Sequence, residues 1–308
     1  MATSPTIRIG TRASALAQWQ ANHVAEELRA RGAAVDIVFI KTQGDVAVGP
    51  LGAIGGQGLF TKELQRALLE NTIDLAVHSL KDLPTDDVPG LTLGAVPTRA
   101  AAGDVLVSSA YATLESLPST ARIGTGSARR KSQLLFHQRQ WQIFDIRGNV
   151  DTRLRKLDEG QYDAIILAEA GLQRLGLTGR IAQVISKTVM LPAVGQGALG
   201  LECRADDNAT QTALAPLDDA LTHASVIAER ALLRTLRGGC LAPIGAWARI
   251  ERDQLTLDAV VLNDEGTERR KASGHGAPSG AAALGVRVAE ELLAAGAGQF
   301  IAHSRSGS

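Results

Sequence analysis

Thr6-Ile7-Arg8-Ile9-Gly10-Thr11-Arg12-Ala13-Ser14-Ala15, with the helical pattern that continues to Ala30, is the stretch from which the fold can be read. Residues 6–10 are rich in β-branched side chains and end on glycine, which reads as a strand. Ser14 stands where a side-chain oxygen can cap a helix over 15–30, and Gly32 stops that helix. Strand, short loop and capped helix make the first part of a βα unit, and the chain repeats the plan. Strands are predicted at 35–40, 73–77, 122–124, 142–146 and 164–167, alternating with helices at 60–70, 127–139 and 150–159. This is the pattern of helices packed on a mostly parallel sheet, with a second αβ series beginning near Asp104.

The remaining segments complete an outline of the domains. Residues 44–58 are too glycine-dense for helix or strand and read as a loop. A strand predicted at 198–203 can return to the first sheet, which would make the first domain discontinuous. A helix at 224–236, the turn Arg237-Gly238-Gly239-Cys240, alternating strands such as 254–262 and a closing helix at 281–295 then form a small α+β unit. Ala/Gly bias makes 274–283 a predicted loop and 304–308 a frayed end. The expected division is domain 1 over 1–98 and 198–216, domain 2 over 99–197, and domain 3 over 217–308.

Composition excludes several functions. Among 308 residues, 32 Lys+Arg balance 32 Asp+Glu, without the cationic excess that a duplex nucleic-acid binder needs. Aromatic residues are 3%, too few to stack single-stranded bases. A 45% hydrophobic, 21% charged chain has the material for packed cores. No apolar run is long enough to span a membrane and the start lacks a signal-peptide plan, so a cytoplasmic protein without a membrane partner is expected. The two cysteines and six histidines show no zinc spacing, so no metal is expected.

The placement of arginines is the most informative local feature. Arg12 precedes a predicted helix, Arg129 and Arg130 occupy the first turn of another, and Arg147 ends a strand beside the predicted cap position Asn149. A cation in the first turn opposes the helix dipole by ~0.3–1 kcal/mol, so something negative should compensate. With Arg153 and Arg174, these side chains lie where an open α/β sheet collects its ligand, and an anionic ligand is one reading. Pairing with acids such as Asp145, Asp151 and Asp163 is the other. Asp82, in the loop after the apolar strand at 73–77, is placed to do acid–base work as a partly buried carboxylate, or simply to pair with Lys81. Cys203 in an apolar strand reads as an inert small hydrophobe. Cys240 follows two glycines, which leave its sulfur open to a bulky group.

Two glycine motifs fail their context tests. Gly195-Gln196-Gly197-Ala198-Leu199-Gly200 has the dinucleotide-binding spacing but precedes a strand instead of opening a helix. Gly55-Gly56-Gln57-Gly58 lacks the Gly-Lys-Ser/Thr order of a phosphate loop. His78 and Ser79 are adjacent on a strand and point to opposite faces, so they cannot form a nucleophile–base pair.

Taken together, the stretches 9–17, 55–60, 76–84, 124–130, 147–153, 191–197 and 238–240 resemble the porphobilinogen deaminase family, and they occur in the family's order. The resemblance implies an α/β protein with two periplasmic-binding-protein-like domains flanking a cleft, plus a smaller α+β C-terminal domain. It implies a transferase that condenses four porphobilinogen units head to tail, releasing ammonia and the linear tetrapyrrole 1-hydroxymethylbilane. It also implies a dipyrromethane primer joined by a thioether to Cys240, held by Lys81, Ser79, Thr125, Ser127, Arg129, Arg130 and Arg147. Asp82 would be the catalytic carboxylate, and Arg12, Ser14, Arg147, Arg153, Arg174 and Gln196 would bind substrate. A monomer is expected.

Gly126, Ala128, Gln57 and Ala102-Gly103 depart from the usual family residues but leave Asp82, Cys240 and the arginines intact. A non-enzymatic carboxylate-binding module is the alternative, although it gives Cys240 no task. A transferase using a small phosphorylated ligand is weakened by the absence of a phosphate loop.

Overall fold

The computed structural model describes residues 6–40, 61–239 and 242–306. The predicted 44–58 loop, Cys240 and residues 307–308 lie outside the described residues. In chain order the strands are β1 (Ile7–Thr11), β2 (Val35–Phe39), β3 (Leu75–Ser79), β4 (Leu91–Ala95), β5 (Asp104–Val107), β6 (Arg122–Gly124), β7 (Gln142–Phe144), β8 (Ala164–Ala168), β9 (Gln183–Val184) and β10 (Leu199–Arg204), followed by β11 (Ile244–Glu251), β12 (Gln254–Leu262) and β13 (Arg269–Gly276). The chain divides into two compact units, one of residues 1–99 with 198–223, the other of 100–197 with 224–308.

The first unit holds a five-stranded sheet in the order β2-β1-β3-β10-β4. β1 runs parallel to β2 and β3, and β10 returns antiparallel between β3 and β4. Ser14 caps the helix Ala15–Ala30 by accepting the Ala17 N–H. Val24, Ala25 and Leu28 of that helix pack with Ile9, Leu75, Val77 and Leu201 on one face of the sheet. The helix Lys62–Leu69 covers the other face through Leu64, Ala67 and Leu68 against Ile73 and Ala76. Truncating a fully buried side chain such as Ile9 to alanine should cost about 2–5 kcal/mol.

The second unit repeats this frame as β7-β6-β8-β5-β9. β6 is parallel to β7 and β8, and β5 lies antiparallel between β8 and β9. The registers agree as well. Ile9 and Gly10 face Leu75 and Ala76 in one sheet, and Ile123 and Gly124 face Ala164 and Ile165 in the other. Continuing along β10 and β5 matches Leu199 with Asp104, Gly200 with Val105 and Glu202 with Val107. Each frame is fastened by an arginine at the start of β1 or β6 and an aspartate immediately before the neighbouring strand β3 or β8. The Arg8 N–H and guanidinium donate to Asp74 at 2.8–3.0 Å, and Arg122 does the same to Asp163 at 2.7–3.3 Å.

The second unit also contains an antiparallel sheet, β11-β12-β13, packed on the helices Ala220–Thr235 and Ala281–Ala294 around Leu232, Leu257, Val288 and Leu292. Several boundaries differ from the sequence reading, among them the strand predicted at 73–77, which is Leu75–Ser79, and the end predicted as frayed from 304, where the helix Ala297–Ser306 continues; two further differences have a local cause. The helix starts at Ala220 and not at 224, because the Asp219 carboxylate accepts the Thr222 N–H at 2.7 Å and caps it. β13 runs through Gly274, inside the predicted loop at 274–283. A Cβ there would lie 2.8 Å from Val288 Cγ2 and 2.9 Å from Leu284 Cδ1, so the glycine lets the helix close onto the strand.

Candidate active site

In the first unit the expected site residues gather at the carboxyl ends of the neighbouring parallel strands β1 and β3, where open α/β sheets present ligands. Arg12 and Ser14 occupy the loop after β1. Ser79 ends β3 and accepts a 2.7 Å hydrogen bond from the Gln20 side chain. Lys81 and Asp82 follow in a single 3-10 turn, Leu80–Asp82. Leu80 anchors that turn: it is buried, its N–H donates to the Ala198 carbonyl at 3.0 Å, and its side chain lies over Gly200, where a Cβ would meet it at 2.6 Å. Asp82 is exposed, not partly buried, because the turn buries Leu80 and Leu83 in its place.

Among the described residues, the core of this unit also contains a polar chain that the sequence reading did not assemble. His78 Nε2 lies 3.0 Å from Glu202 Oε2, and Gln65 donates to Glu202 Oε1 at 2.9 Å. All three side chains are buried, on the sheet face opposite Ser79.

The second unit holds the other candidates. Thr125 is buried after β6, and its hydroxyl accepts the Ser127 N–H at 3.2 Å. Ser127 caps the helix Ala128–His137 by accepting the Arg130 N–H. Arg129 and Arg130, in that first turn, are 4% and 5% exposed, and both reach the fully buried carboxylate of Asp104. Arg129 Nη1 is 2.7 Å from Oδ2, and Arg130 Nε and Nη2 are 2.9 and 2.8 Å from Oδ1. The Gln196 amide donates to the same Oδ1 at 3.1 Å and to the Ala102 and Gly103 carbonyls. Burial alone would raise the Asp104 pKa, but the two guanidiniums and these hydrogen bonds hold it well below the usual carboxylate range. The compensating negative group expected for the first-turn arginines is therefore in part Asp104, at the head of the apolar strand Val105-Leu106-Val107. An acid opening an otherwise apolar run was the sequence signal for it.

Arg174 belongs to the same assembly. Its guanidinium donates to the Gly197 carbonyl at 2.7 Å, and burial lowers its pKa to about 10. Gly197 has φ +87°, and a Cβ there would sit 2.5 Å from the Ala100 carbonyl oxygen, so only glycine fits. Glu229, fully buried, fixes this loop by accepting the Gly195 N–H at 2.7 Å and the Ala248 N–H at 2.8 Å. Arg147 and Arg153 stand apart from this cluster, Arg147 on the turn after β7 and Arg153 in the first turn of the helix Val150–Asp158. There Arg147 Nε pairs with Asp145 at 2.6 Å and Arg153 Nε donates to the Gly148 carbonyl. Asp145 is one of the acids that the sequence offered as a partner; Asp163 instead pairs with Arg122.

The arrangement favours an anion. Two buried guanidiniums share one buried carboxylate, and Arg129 Nε is buried without a hydrogen-bond partner among the described residues. A further carboxylate near this strand end would answer both the excess charge and the orphaned donor. No group of three or more His, Cys, Asp or Glu among the described residues is placed to hold a metal ion.

Comparison with known proteins follows this chemistry. The family model described as "Porphobilinogen deaminase, dipyromethane cofactor binding domain" matches residues 7–212, and that described as "Porphobilinogen deaminase, C-terminal domain" matches 223–294. The chain belongs to the porphobilinogen deaminase family. A porphobilinogen deaminase of Desulforudis audaxviator is 50% identical over 303 residues, 97% of this chain and 98% of that protein. Weak likenesses to solved structures include a YaeC-family lipoprotein of Enterococcus faecalis and a putative methionine-binding lipoprotein of Bacillus subtilis. The first has a TM-score of 0.46 at 11% identity, over 69% of this chain and 91% of that one. The second has a TM-score of 0.43 at 12% identity, over 69% of this chain and 89% of that one. Neither likeness bears weight at these scores.

Family membership makes the chain a transferase of porphyrin biosynthesis. It condenses porphobilinogen into 1-hydroxymethylbilane with loss of ammonia, on a dipyrromethane cofactor. The alternative of a non-enzymatic binding module is not favoured. No helix of the described residues is long and apolar enough to cross a membrane.

Proposed function

We propose that Cys240 carries the dipyrromethane as a thioether, and that the candidate residues divide its handling. Cys240 lies outside the described residues, but the chain is held on both sides of it. The Gly238 N–H donates to the Leu233 carbonyl at 3.0 Å, and the Ala242 N–H to the Gly239 carbonyl at 3.0 Å. In this reading Arg129, Arg130 and Arg147, with Thr125, Ser127, Ser79 and Lys81, hold the carboxylates of the primer. The orphaned Arg129 Nε and the unbalanced charge around Asp104 are the observation that carries this assignment. Arg12, Ser14, Arg147, Arg153, Arg174 and Gln196 then bind the acetate and propionate groups of the incoming substrate and the extending chain. Guanidinium forks suit these planar anions better than ammonium groups do.

When bound, the dipyrromethane supplies the pyrrole carbon to which the first substrate unit is joined. The chemistry left to this chain is to bear charge and move protons. Loss of ammonia from porphobilinogen leaves positive charge spread onto the substrate's pyrrole nitrogen. Asp82 is the group we assign to it, its carboxylate stabilising that charge and taking up the proton released when the pyrrole ring is restored. Its exposed position on the short turn after β3 leaves the carboxylate free to meet substrate. We further propose the division into domain 1 (1–98 and 198–216), domain 2 (99–197) and domain 3 (217–308), and a cytoplasmic monomer that engages neither nucleic acid nor membrane.

Intact-mass measurement tests the central assignment. The purified chain, after incubation with porphobilinogen, should carry an adduct of two pyrrole units that Cys240→Ser removes. A bare polypeptide mass in the parent, or an adduct that survives Cys240→Ser, would overturn it.

A further inference from the structure

The His78–Glu202–Gln65 chain is buried in the first unit, yet nothing in the proposed handling of substrate uses it. Such a group is costly: two titratable side chains leave water, and a buried pair of this kind is often neutral or better when exchanged for apolar residues of similar volume. The second unit contains that exchange within the same protein. By strand register His78 corresponds to Leu167 and Glu202 to Val107. Leu167 and Val107 are 4% and 1% exposed and pack in one apolar cluster with Leu154 and Leu157. The frame therefore closes at these positions without any polar group.

The polar pair stands at the end of β3, one residue before Ser79 and four before Asp82. Its members lie on the two strands that hold the turn at Leu80–Asp82. His78 faces Gly200 in the ladder, Leu80 packs on Gly200, and the Leu80 N–H reaches the Ala198 carbonyl. Gln65 adds the helix Lys62–Leu69 as a third anchor. We propose that His78, Glu202 and Gln65 are positioning residues that lock the end of β3 against β10 and so set the orientation of Asp82. This inference rests on the reading of Asp82 as the catalytic carboxylate. Hydrogen bonds, unlike apolar contacts, fix direction as well as distance, which is what the carrier strand of a catalytic group requires.

The test transplants the second unit's residues into the loaded, full-length enzyme. His78→Leu/Glu202→Val should fold with an unchanged or higher Tm, retain the primer by intact mass and keep KM for porphobilinogen within about threefold, while kcat falls about tenfold or more. Glu202→Gln, which can still accept from His78 and bond Gln65, should restore kcat to within about threefold of the parent. A stably folded double variant with parental kcat would overturn the proposal, as would a Glu202→Gln variant as slow as the double one. Should the double variant fail to fold, Gln65→Leu decides: about a threefold loss of kcat at unchanged KM is expected, and no loss overturns the proposal. Asp82→Asn, measured alongside, keeps the two readings distinct. Parental turnover in Asp82→Asn removes the assignment of Asp82, whereas a dead Asp82→Asn beside an active double variant removes only the positioning role.

Discussion

The two five-stranded sheets share strand order, strand direction, register and an Arg–Asp fastening, yet they bury different chemistry. Aligning the helix caps Ser14 and Ser127 places Leu16 opposite Arg129 and Ala17 opposite Arg130, while the ladders place Leu199 opposite Asp104. At the positions where the second unit buries two guanidiniums and a carboxylate, the first has the half-buried Leu16 and Ala17 and the buried Leu199. The situation reverses on the opposite face, where His78 and Glu202 answer Leu167 and Val107. What the frame needs is visible in what the units share. Gly10 and Gly124 are both glycine because a Cβ would collide with Ile73 in one unit and with Ile165 and Tyr162 in the other. What the reaction needs is sought where they differ, since each frame closes at those positions with apolar residues in place of the other's buried polar groups.

Breaking the arginine cluster gives the largest expected effect. Asp104→Leu gives the second unit the residue of the first but strands two buried cations, so thermal or denaturant unfolding should show a loss of about 3–5 kcal/mol. Asp104→Leu/Arg129→Leu/Arg130→Ala imports the whole apolar set and should recover stability to within about 2 kcal/mol of the parent, with no primer detectable by intact mass. If the single change proves neutral, or the triple variant still loads the primer, the two sites are not the equivalents proposed.

Much of this frame was legible in the sequence because it is local. The cap at Ser14, the helix over 15–30, the strands at 122–124 and 254–262 and the arginines at strand ends all follow from neighbours along the chain. The clusters were not legible, because Asp104 meets Arg129 and Arg130 across 25 and 26 residues, and Glu202 meets His78 across 124. Pattern reading sees a single acid in an apolar strand, but not the partner that a ladder brings to it. The repeat itself was within reach: Arg8-Ile9-Gly10-Thr11 recurs as Arg122-Ile123-Gly124-Thr125, and each is followed downstream by an aspartate just before a strand, Asp74 or Asp163.

Those two fastenings provide the next test. Both carboxyls are held below their ordinary range, Asp74 because hydrogen bonds from Arg8 and Arg204 outweigh its burial, Asp163 chiefly through its bonds with Arg122. A lowered folded-state pKa contributes stability above the unfolded value, near pH 4, and that contribution is lost as pH falls toward the folded value. Acid should therefore weaken both units from about pH 4 downward, and replacing either aspartate by asparagine should flatten that slope. The effects should be unequal. Asp74 is 11% exposed and also binds Arg204 at 2.7 Å, whereas Asp163 is 27% exposed beside an Arg122 that is 43% exposed. Asp74→Asn should cost about 2 kcal/mol at neutral pH with little dependence on salt. Asp163→Asn should cost less, and its effect should fade in salt. Equal losses in urea melts at low and high salt would show that the shared geometry, not burial, sets the strength of each fastening.

The smallest effect concerns the loop that joins β1 or β6 to its capped helix, where the two frames differ in length. Two residues, Arg12 and Ala13, separate Thr11 from Ser14, but Gly126 alone separates Thr125 from Ser127. The shorter loop leaves no room: a Cβ on Gly126 would lie 2.9 Å from Asp145 Oδ1 and 3.0 Å from the Ile146 carbonyl oxygen. The carboxylate is the end of a side chain and can swing away, whereas the carbonyl belongs to backbone that continues into Arg147. Gly126→Ser should accordingly cost about 1 kcal/mol, as modest overpacking does. It should also shift the Asp145 carboxylate off Arg147 Nε, which it now meets at 2.6 Å. If Arg147 binds substrate carboxylates, loosening its internal partner should lower KM for porphobilinogen slightly while kcat stays level. A raised KM with the same stability loss would mean that Asp145 orients Arg147 for binding and does not compete for it.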